Sequence, residues 1–294
     1  MIIKSRKEKS KILLFTLPAL FIYIVFLVIP MIGALYFSVM NWNGIRGVPL
    51  EYVGLDNYIN VFTDKSFLLS LKNMFNMVFF SVLFHTPIAL LLAVAINSKF
   101  KGYRLFKVVY FVPTIFPLTA IGLLWYFIFM PNGSLNSFLE LIGLSELVTG
   151  WLINPSTAMG TIIFVNIWAG IGYYMVILLA GLTTIPKEIY EAADIDGATP
   201  SKKFFHITIP MLKPIITLCI LMDIIGTIKV FDLIFVMTEG GPNGLTNLPT
   251  TLMYYEAFRY DNYGVGSAIG IIILVIALVL TIGSESIMNR KGRS

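Results

Sequence analysis

Six apolar runs, each about the length of a bilayer crossing, constrain this chain more than any other feature. A membrane-spanning helix needs roughly 20 mostly apolar residues. Runs of that kind occupy about 12–39, 74–96, 108–130, 157–181, 213–237 and 265–284. Soluble domains carry about 25% charged residues, whereas only 13% of these 294 residues are charged and 57% are hydrophobic. The pattern predicts an all-α integral membrane fold with six transmembrane helices, because a helix satisfies its own backbone hydrogen bonds in lipid. The first run follows Lys4, Arg6, Lys7, Lys9 and Lys11, as a signal peptide would. It is far longer than a signal core and lacks a small-residue cleavage site, so it reads as a retained span, with Pro18 and Pro30 as kink points. The stretches Phe67–Leu71 and Phe138–Leu144 are too short to cross and read as outer-surface helices.

Lysine and arginine placement orients the spans. With the N-terminus inside, sixteen basic residues fall on inner segments, and only Arg46, Lys65, Lys72 and Arg259 fall on outer ones. The inner set includes Lys99, Lys101, Arg104 and Lys107, then Lys187, Lys202, Lys203 and Lys213, then Arg290, Lys291 and Arg293. Both termini are thereby predicted in the cytoplasm of a multi-pass cell-membrane protein. The net charge of +5 is spent on topology, so nucleic acid is not an expected partner. The chain divides into an N-terminal span with its outer loop (1–73), a five-span core (74–285) and a cytoplasmic tail (286–294). Outer turns such as Asn41–Gly44, Met130–Ser134 and Glu239–Gly244 are rich in Gly, Pro and Asn. They are either plain connections or a platform for a partner outside; composition does not separate the two.

Between spans four and five lies a polar cytoplasmic loop, about 184–212. Thr184 reads as a helix cap, with Pro186 in the first turn and Glu188 and Glu191 near the positive end of the helix. Gly197 supplies a left-handed stop. A second helix starts with Thr199 as cap and Pro200 first, and Pro210 and Pro214 are expected to break or kink the chain before span five. The small Ala192, Ala193 and Ala198 let another surface approach, and Glu191 can meet a partner's arginine. A connector that binds nothing would share this composition.

Glu191-Ala-Ala-x-x-Asp196-Gly197-Ala198, followed by Phe204, Ile207 and Ile209-Pro210, resembles the EAA loop of ATP-binding-cassette importer permeases. Ile209 stands where the family usually has Leu. The flanks, Gly181–Tyr190 and Phe231–Pro242, resemble the carbohydrate-uptake branch, specifically the maltose-type first permease subunit. The resemblance covers nearly the whole chain. It implies half of a heterodimeric pore, with a second permease subunit, two ATPase subunits beneath and an extracytoplasmic solute-binding protein delivering sugar. It also implies that Glu191, Ala192, Ala193, Asp196, Gly197 and Ala198 dock an ATPase. There is no Walker-type Gly-x-x-x-x-Gly-Lys-Ser/Thr sequence. The chain is therefore not expected to be an enzyme or to bind a cofactor; ATP and Mg belong to the partner ATPase.

Polar groups inside spans are costly and point to function. Asn166, Gly170 and Tyr173 share one face of span four. An amide, a gap and an aromatic ring suit a sugar, and the resemblance puts sugar contacts at these positions, with Ala169 replacing a larger residue. Asp223, Gly226 and Thr227 share a face of span five. There Gly226, Thr227 and Val230 align with family contact positions but differ in type, as do Thr114 and Leu118 in span three, where Pro113 and Pro117 keep the expected bend. These departures argue against maltose itself, and the few basic pore residues favour a neutral sugar over a phosphate ester. Lys229 and Asp232 either pair with each other or contact substrate. His85 and His206 lack acidic or cysteine neighbours at ligand spacing, so a satisfied hydrogen bond, not a metal, is expected of each. The lone Cys219 reads as a small buried hydrophobe. One alternative is an ion-coupled secondary transporter using Asp223 and Lys229, which leaves the cytoplasmic loop unexplained; another is a membrane scaffold.

Overall fold

The computed structural model describes residues 6–45 and 47–290. Lys4, Arg46, Lys291 and Arg293, used above to orient the chain, lie outside the described residues, as do the side chains of Arg6, Lys7, Lys9, Lys11 and Arg290. Six helical stretches are long and apolar enough to cross a membrane: Phe15–Ser38, Lys65–Asn97, Leu118–Leu141, Ala158–Leu182, Pro200–Ile228 and Tyr263–Ser286. The chain forms two compact units, one ending at Asp64 and taking in Met253–Ile272, the other comprising Lys65–Leu252 and the residues from Ile273 onward.

In the smaller unit, α1 (Arg6–Tyr23) and α2 (Ile29–Ser38) are joined through a π-helical turn, Ile24–Val28. From Phe15 onward the apolar side chains of this stretch are exposed almost throughout, as lipid-facing side chains are (Phe15 at 91%, Phe26 at 75%). The only departure from an all-α fold among the described residues is a two-residue ribbon, β1 (Met40–Asn41) against β2 (Glu51–Tyr52), antiparallel with Met40 opposite Tyr52. A short helix, α3 (Asp56–Thr63), is tied to the end of α2. Asn57 Nδ2 donates to the Ser38 and Met40 carbonyls at 2.9 Å each, and the Tyr58 hydroxyl donates to Ser38 Oγ.

The larger unit carries α4 (Lys65–Asn97), α5 (Tyr103–Phe111), α6 (Leu118–Phe129), α7 (Ser134–Leu141), α8 (Ala158–Leu182), α9 (Lys187–Ile195), α10 (Pro200–Lys203), α11 (Ile209–Ile228) and α12 (Asp232–Met237). Two further helices, α13 (Pro249–Phe258) and α14 (Tyr263–Arg290), are shared between the units. At 33 residues, α4 is about 50 Å long, well beyond the ~30 Å hydrocarbon core. Phe67–Leu71 is thus not a separate surface helix: no breaker separates it from the span, and it forms the opening turns of α4 with Phe67 buried. Asn73 fixes this extension by donating to the carbonyls of Leu245 and Asn247. The third span bends where its prolines stand. A 3-10 turn at Val112–Ile115 and extended backbone at Phe116 and Pro117 separate α5 from α6.

Of the break or kink expected at Pro210 and Pro214, the break does not occur. The chain from Pro200 to Ile228 is one continuous helical course. A π-helical turn at Phe204–Thr208 precedes Pro210, and its wider hydrogen bond, Ile209 N–H to the Phe204 carbonyl, makes room for a residue with no N–H to give. The fifth span instead ends at Ile228. Lys229 to Phe231 are non-helical and α12 restarts the course.

The core of this unit joins α4, α8 and α11 through Ala89, Ala93, Ile96, Met175, Leu178, Leu212 and Cys219. Lipid tails are as apolar as leucine, so association here rests on close packing rather than on escape from water, and small residues at the seam permit it. At Gly172 an added Cβ would stand 2.0 Å from the Tyr110 carbonyl oxygen, so α5 crosses α8 with backbone nearly touching backbone. Gly172→Leu is expected to separate these helices and cost about 1–3 kcal/mol, lowering the apparent Tm in detergent; Gly160→Leu, where a Cβ meets nothing within 4 Å, serves as the control.

Candidate functional site

α4, the α5–α6 bend, α8 and α11 enclose a cavity of about 250 Å3. All six residues singled out for substrate, Asn166, Gly170, Tyr173, Asp223, Gly226 and Thr227, line it, as do Thr114, Leu118 and Val230. Tyr173 is 43% exposed, whereas Asn166, Asp223 and Thr227 are buried. No lysine or arginine contributes to the wall.

A further residue, His85 of α4, organises the cavity. Its Nδ1 lies 2.9 Å from Asp223 Oδ1, and its Nε2 lies 3.2 Å and 3.1 Å from the carbonyl oxygens of Asn166 and Ile167. Acceptors therefore face both ring nitrogens. The pair is neutral overall whether written as imidazolium with carboxylate or as imidazole with carboxylic acid, which suits burial at 3% and 1% exposure. Asp223 Oδ1 also takes hydrogen bonds from the Thr227 hydroxyl at 3.2 Å and, more weakly, the Tyr174 hydroxyl at 3.5 Å. Its second oxygen, Oδ2, is buried without a partner. Gly170 is required by this arrangement, since a Cβ there would come within 2.6 Å of His85 Nε2. Asn166 Nδ2 donates to Ser81 Oγ at 2.9 Å, which fixes the amide. The histidine is hydrogen-bonded as its sequence reading expected, but its acidic partner is 138 residues away, beyond any local motif. Lys229 and Asp232 form no ion pair among the described residues.

The second candidate site is the loop after α8. Thr184 does not cap α9: its hydroxyl donates to the Gly181 carbonyl at 2.8 Å and closes α8, while Pro186 occupies the cap position. Gly197 has φ +71° with open space around it, and the Ala198 N–H bonds back to the Ala193 carbonyl at 2.9 Å. Thr199 caps α10 by accepting from the Lys202 N–H at 3.4 Å. An ion pair between Lys203 and Asp194 and a 2.9 Å hydrogen bond between the Tyr190 and Thr208 hydroxyls brace the corner. Glu191, Ala192, Asp196 and Gly197 are exposed and Ala198 half-buried, but Ala193 turns into the chain. Ile195, which the motif leaves unspecified, is 88% exposed at the tip.

A cavity holding buried polar side chains thus lies among bilayer-length helices, and a braced two-helix loop follows α8. The chain belongs to the family described as binding-protein-dependent transport system inner membrane components, whose model matches residues 85–291; it is an ABC transporter permease. It is 35% identical over 272 residues, 92% of each chain, to the probable ABC transporter permease protein YurN of Bacillus subtilis. It is 34% identical to the arabinooligosaccharides transport system permease protein AraP of the same organism, over 94% of this chain and 87% of the relative. The trehalose/maltose transport system permease protein MalF of Thermococcus litoralis is 32% identical, over 95% and 94%. The same fold occurs in a bacterial alginate ABC transporter solved with a periplasmic protein bound to alginate pentasaccharide, at a TM-score of 0.84 and 23% identity over 98% of this chain and 97% of that one.

Removing one member of a buried ion pair typically costs 3–5 kcal/mol. His85→Leu is expected to destabilise by about that amount, and the His85→Leu/Asp223→Leu double variant to recover much of it. A thermal double-mutant cycle measures the difference.

Proposed function

We propose that this chain forms one half of the pore of an ATP-driven importer of neutral sugars, beside a second permease subunit. A solute-binding protein supplies the sugar on one face, and ATPase subunits engage the α9–α10 loop on the other. The termini and the loop then face the cytoplasm, as the basic residues of the sequence favour. The observation that carries the reading is the cavity wall. Asp223 Oδ2 is buried without a donor, the Asn166 amide is held by Ser81 in the lining, Tyr173 is half-exposed, and neither lysine nor arginine lines the wall. Hydroxyl donors satisfy such acceptors, and a pyranose face can stack on a tyrosine ring; a phosphate or uronate finds no lysine or arginine, and His85 is already engaged by Asp223. The sugars named for the relatives support the same class.

For the loop, exposed Glu191 and Ile195 supply a charged and an apolar contact, and the left-handed Gly197 sets the angle between the two helices. Ion coupling through Asp223 and Lys229 is not favoured, because His85 already engages the carboxylate and the family is that of ABC permeases.

Reconstitution with the partner permease, ATPase and loaded binding protein tests both halves. Tyr173→Ala is expected to lower neutral-sugar uptake about tenfold, the equivalent of losing roughly 1.4 kcal/mol, with ATPase assembly intact. Glu191→Lys and Ile195→Asp are expected to reduce ATPase retention on the purified complex and abolish stimulation by loaded binding protein. Wild-type uptake by all three variants would overturn the assignment, as would uptake driven by an ion gradient without ATP.

A further inference from the structure

At the α9 end of the larger unit, the ends of α4 and α8 and the start of α5 surround a second cavity, of about 290 Å3. Its two ends differ in chemistry. Ile96, Val176 and Leu179 form an apolar wall among the bilayer-length parts of α4 and α8, while Lys99, Tyr103 and Lys107 form the rim. We propose that this cavity binds one anionic phospholipid, its phosphate between Lys99 and Lys107 and an acyl chain along the apolar wall.

The backbone that carries Lys99 is set before any ligand arrives. Lys99 sits in the left-handed region at φ +55°, with its N–H bonded to the Ile96 carbonyl at 3.1 Å, so the end of α4 sets its direction. The following loop is held to α5 by an edge contact between Phe100 and Phe106, and Phe106 packs in turn on Tyr110. Residues 97–107 contain Lys99, Lys101, Arg104 and Lys107 and no acidic residue. Among the described residues neither Lys99 nor Lys107 has an ion-pair partner. The hydrogen bond from Arg104, its charge, and the charges of Lys99 and Lys107 together draw the Tyr103 phenol below its usual range, a sign that positive potential converges on the rim. A compensating anion must come from outside the chain. An acidic protein surface would answer the charge and leave the apolar wall uncovered; an anionic lipid answers both, and basic pockets between spans on the cytoplasmic side have that character. The choice of leaflet rests on the orientation proposed above.

The test uses the assembled transporter, purified from nanodiscs of an equal mixture of phosphatidylglycerol and phosphatidylcholine, with retained lipid identified by native mass spectrometry. Wild type is expected to retain phosphatidylglycerol. Lys99→Gln/Lys107→Gln is expected to lower that preference about tenfold, Lys107→Glu to lower it further, and Lys65→Gln/Lys72→Gln to leave it unchanged. Unaltered preference in the Lys99/Lys107 variants would overturn the proposal. So would displacement of the lipid by millimolar inorganic phosphate, which would mark a small-anion site. Labelling Lys99→Cys in sealed vesicles with an impermeant maleimide, in a chain whose natural Cys219 is buried, reports the leaflet separately, so a wrong orientation and a missing lipid site give different results.

Discussion

Asp223 can occupy the interior of a bilayer-length helix because His85 stands beside it. A lone carboxylate among α4, α8 and α11 would be expelled or neutralised. With the imidazole 2.9 Å away, the group is held, and its position becomes a property of three helices at once. The ring reaches the carboxylate from α4 and rests its other nitrogen on carbonyls of α8, where Gly170 removes the side chain that would block it. Ser81, one turn earlier on α4, holds Asn166 in the same way. Polar groups that would be liabilities in lipid thus fix the relative setting of the helices, with Asp223 Oδ2 left buried and unpaired. Breaking the pair would alter packing and chemistry together, because the same carboxylate serves both.

Much of this was legible in the sequence, and the misses have physical causes. Six spans follow from apolar run length alone, since lipid permits few other backbone solutions. The cavity-lining positions on α8 and α11 follow from helical periodicity applied to polar residues in apolar runs. Thr184, by contrast, reads as a cap because a threonine before Pro186 is suited to that role, but its hydroxyl had a nearer carbonyl at Gly181. Pro210 reads as a break or a kink because proline cannot donate; a single π turn before it absorbs the lost bond and lets the helix run on. The partnership of His85 with Asp223 could not be read at all: each looks like an isolated polar residue until the helices are assembled. Ile195 escaped notice because an isoleucine in an amphipathic helix is ordinarily assigned to the buried face, whereas here Ala193 takes that place.

The continuity past Pro210 links the two sites. From Pro200 to Asp223 the chain is one helical course, about 35 Å at 1.5 Å per residue, interrupted in its regularity only by the π turn at Phe204–Thr208. The other flank of the loop is α8, which carries Asn166, Gly170 and Tyr173. A displacement imposed on α9 and α10 therefore acts on both walls of the cavity through rigid elements. The corner resists folding up on itself because of the Lys203–Asp194 ion pair and the Tyr190–Thr208 hydrogen bond. The weakest points along that route are the π turn and the non-helical Lys229–Phe231 segment, one on each side of α11. Motion delivered at the loop would thus move α11 largely as a body, with Asp223 and Thr227 travelling together while His85 stays with α4. The His85–Asp223 contact is the polar link between α4 and α11, so it joins the helix that continues from the loop to one that does not.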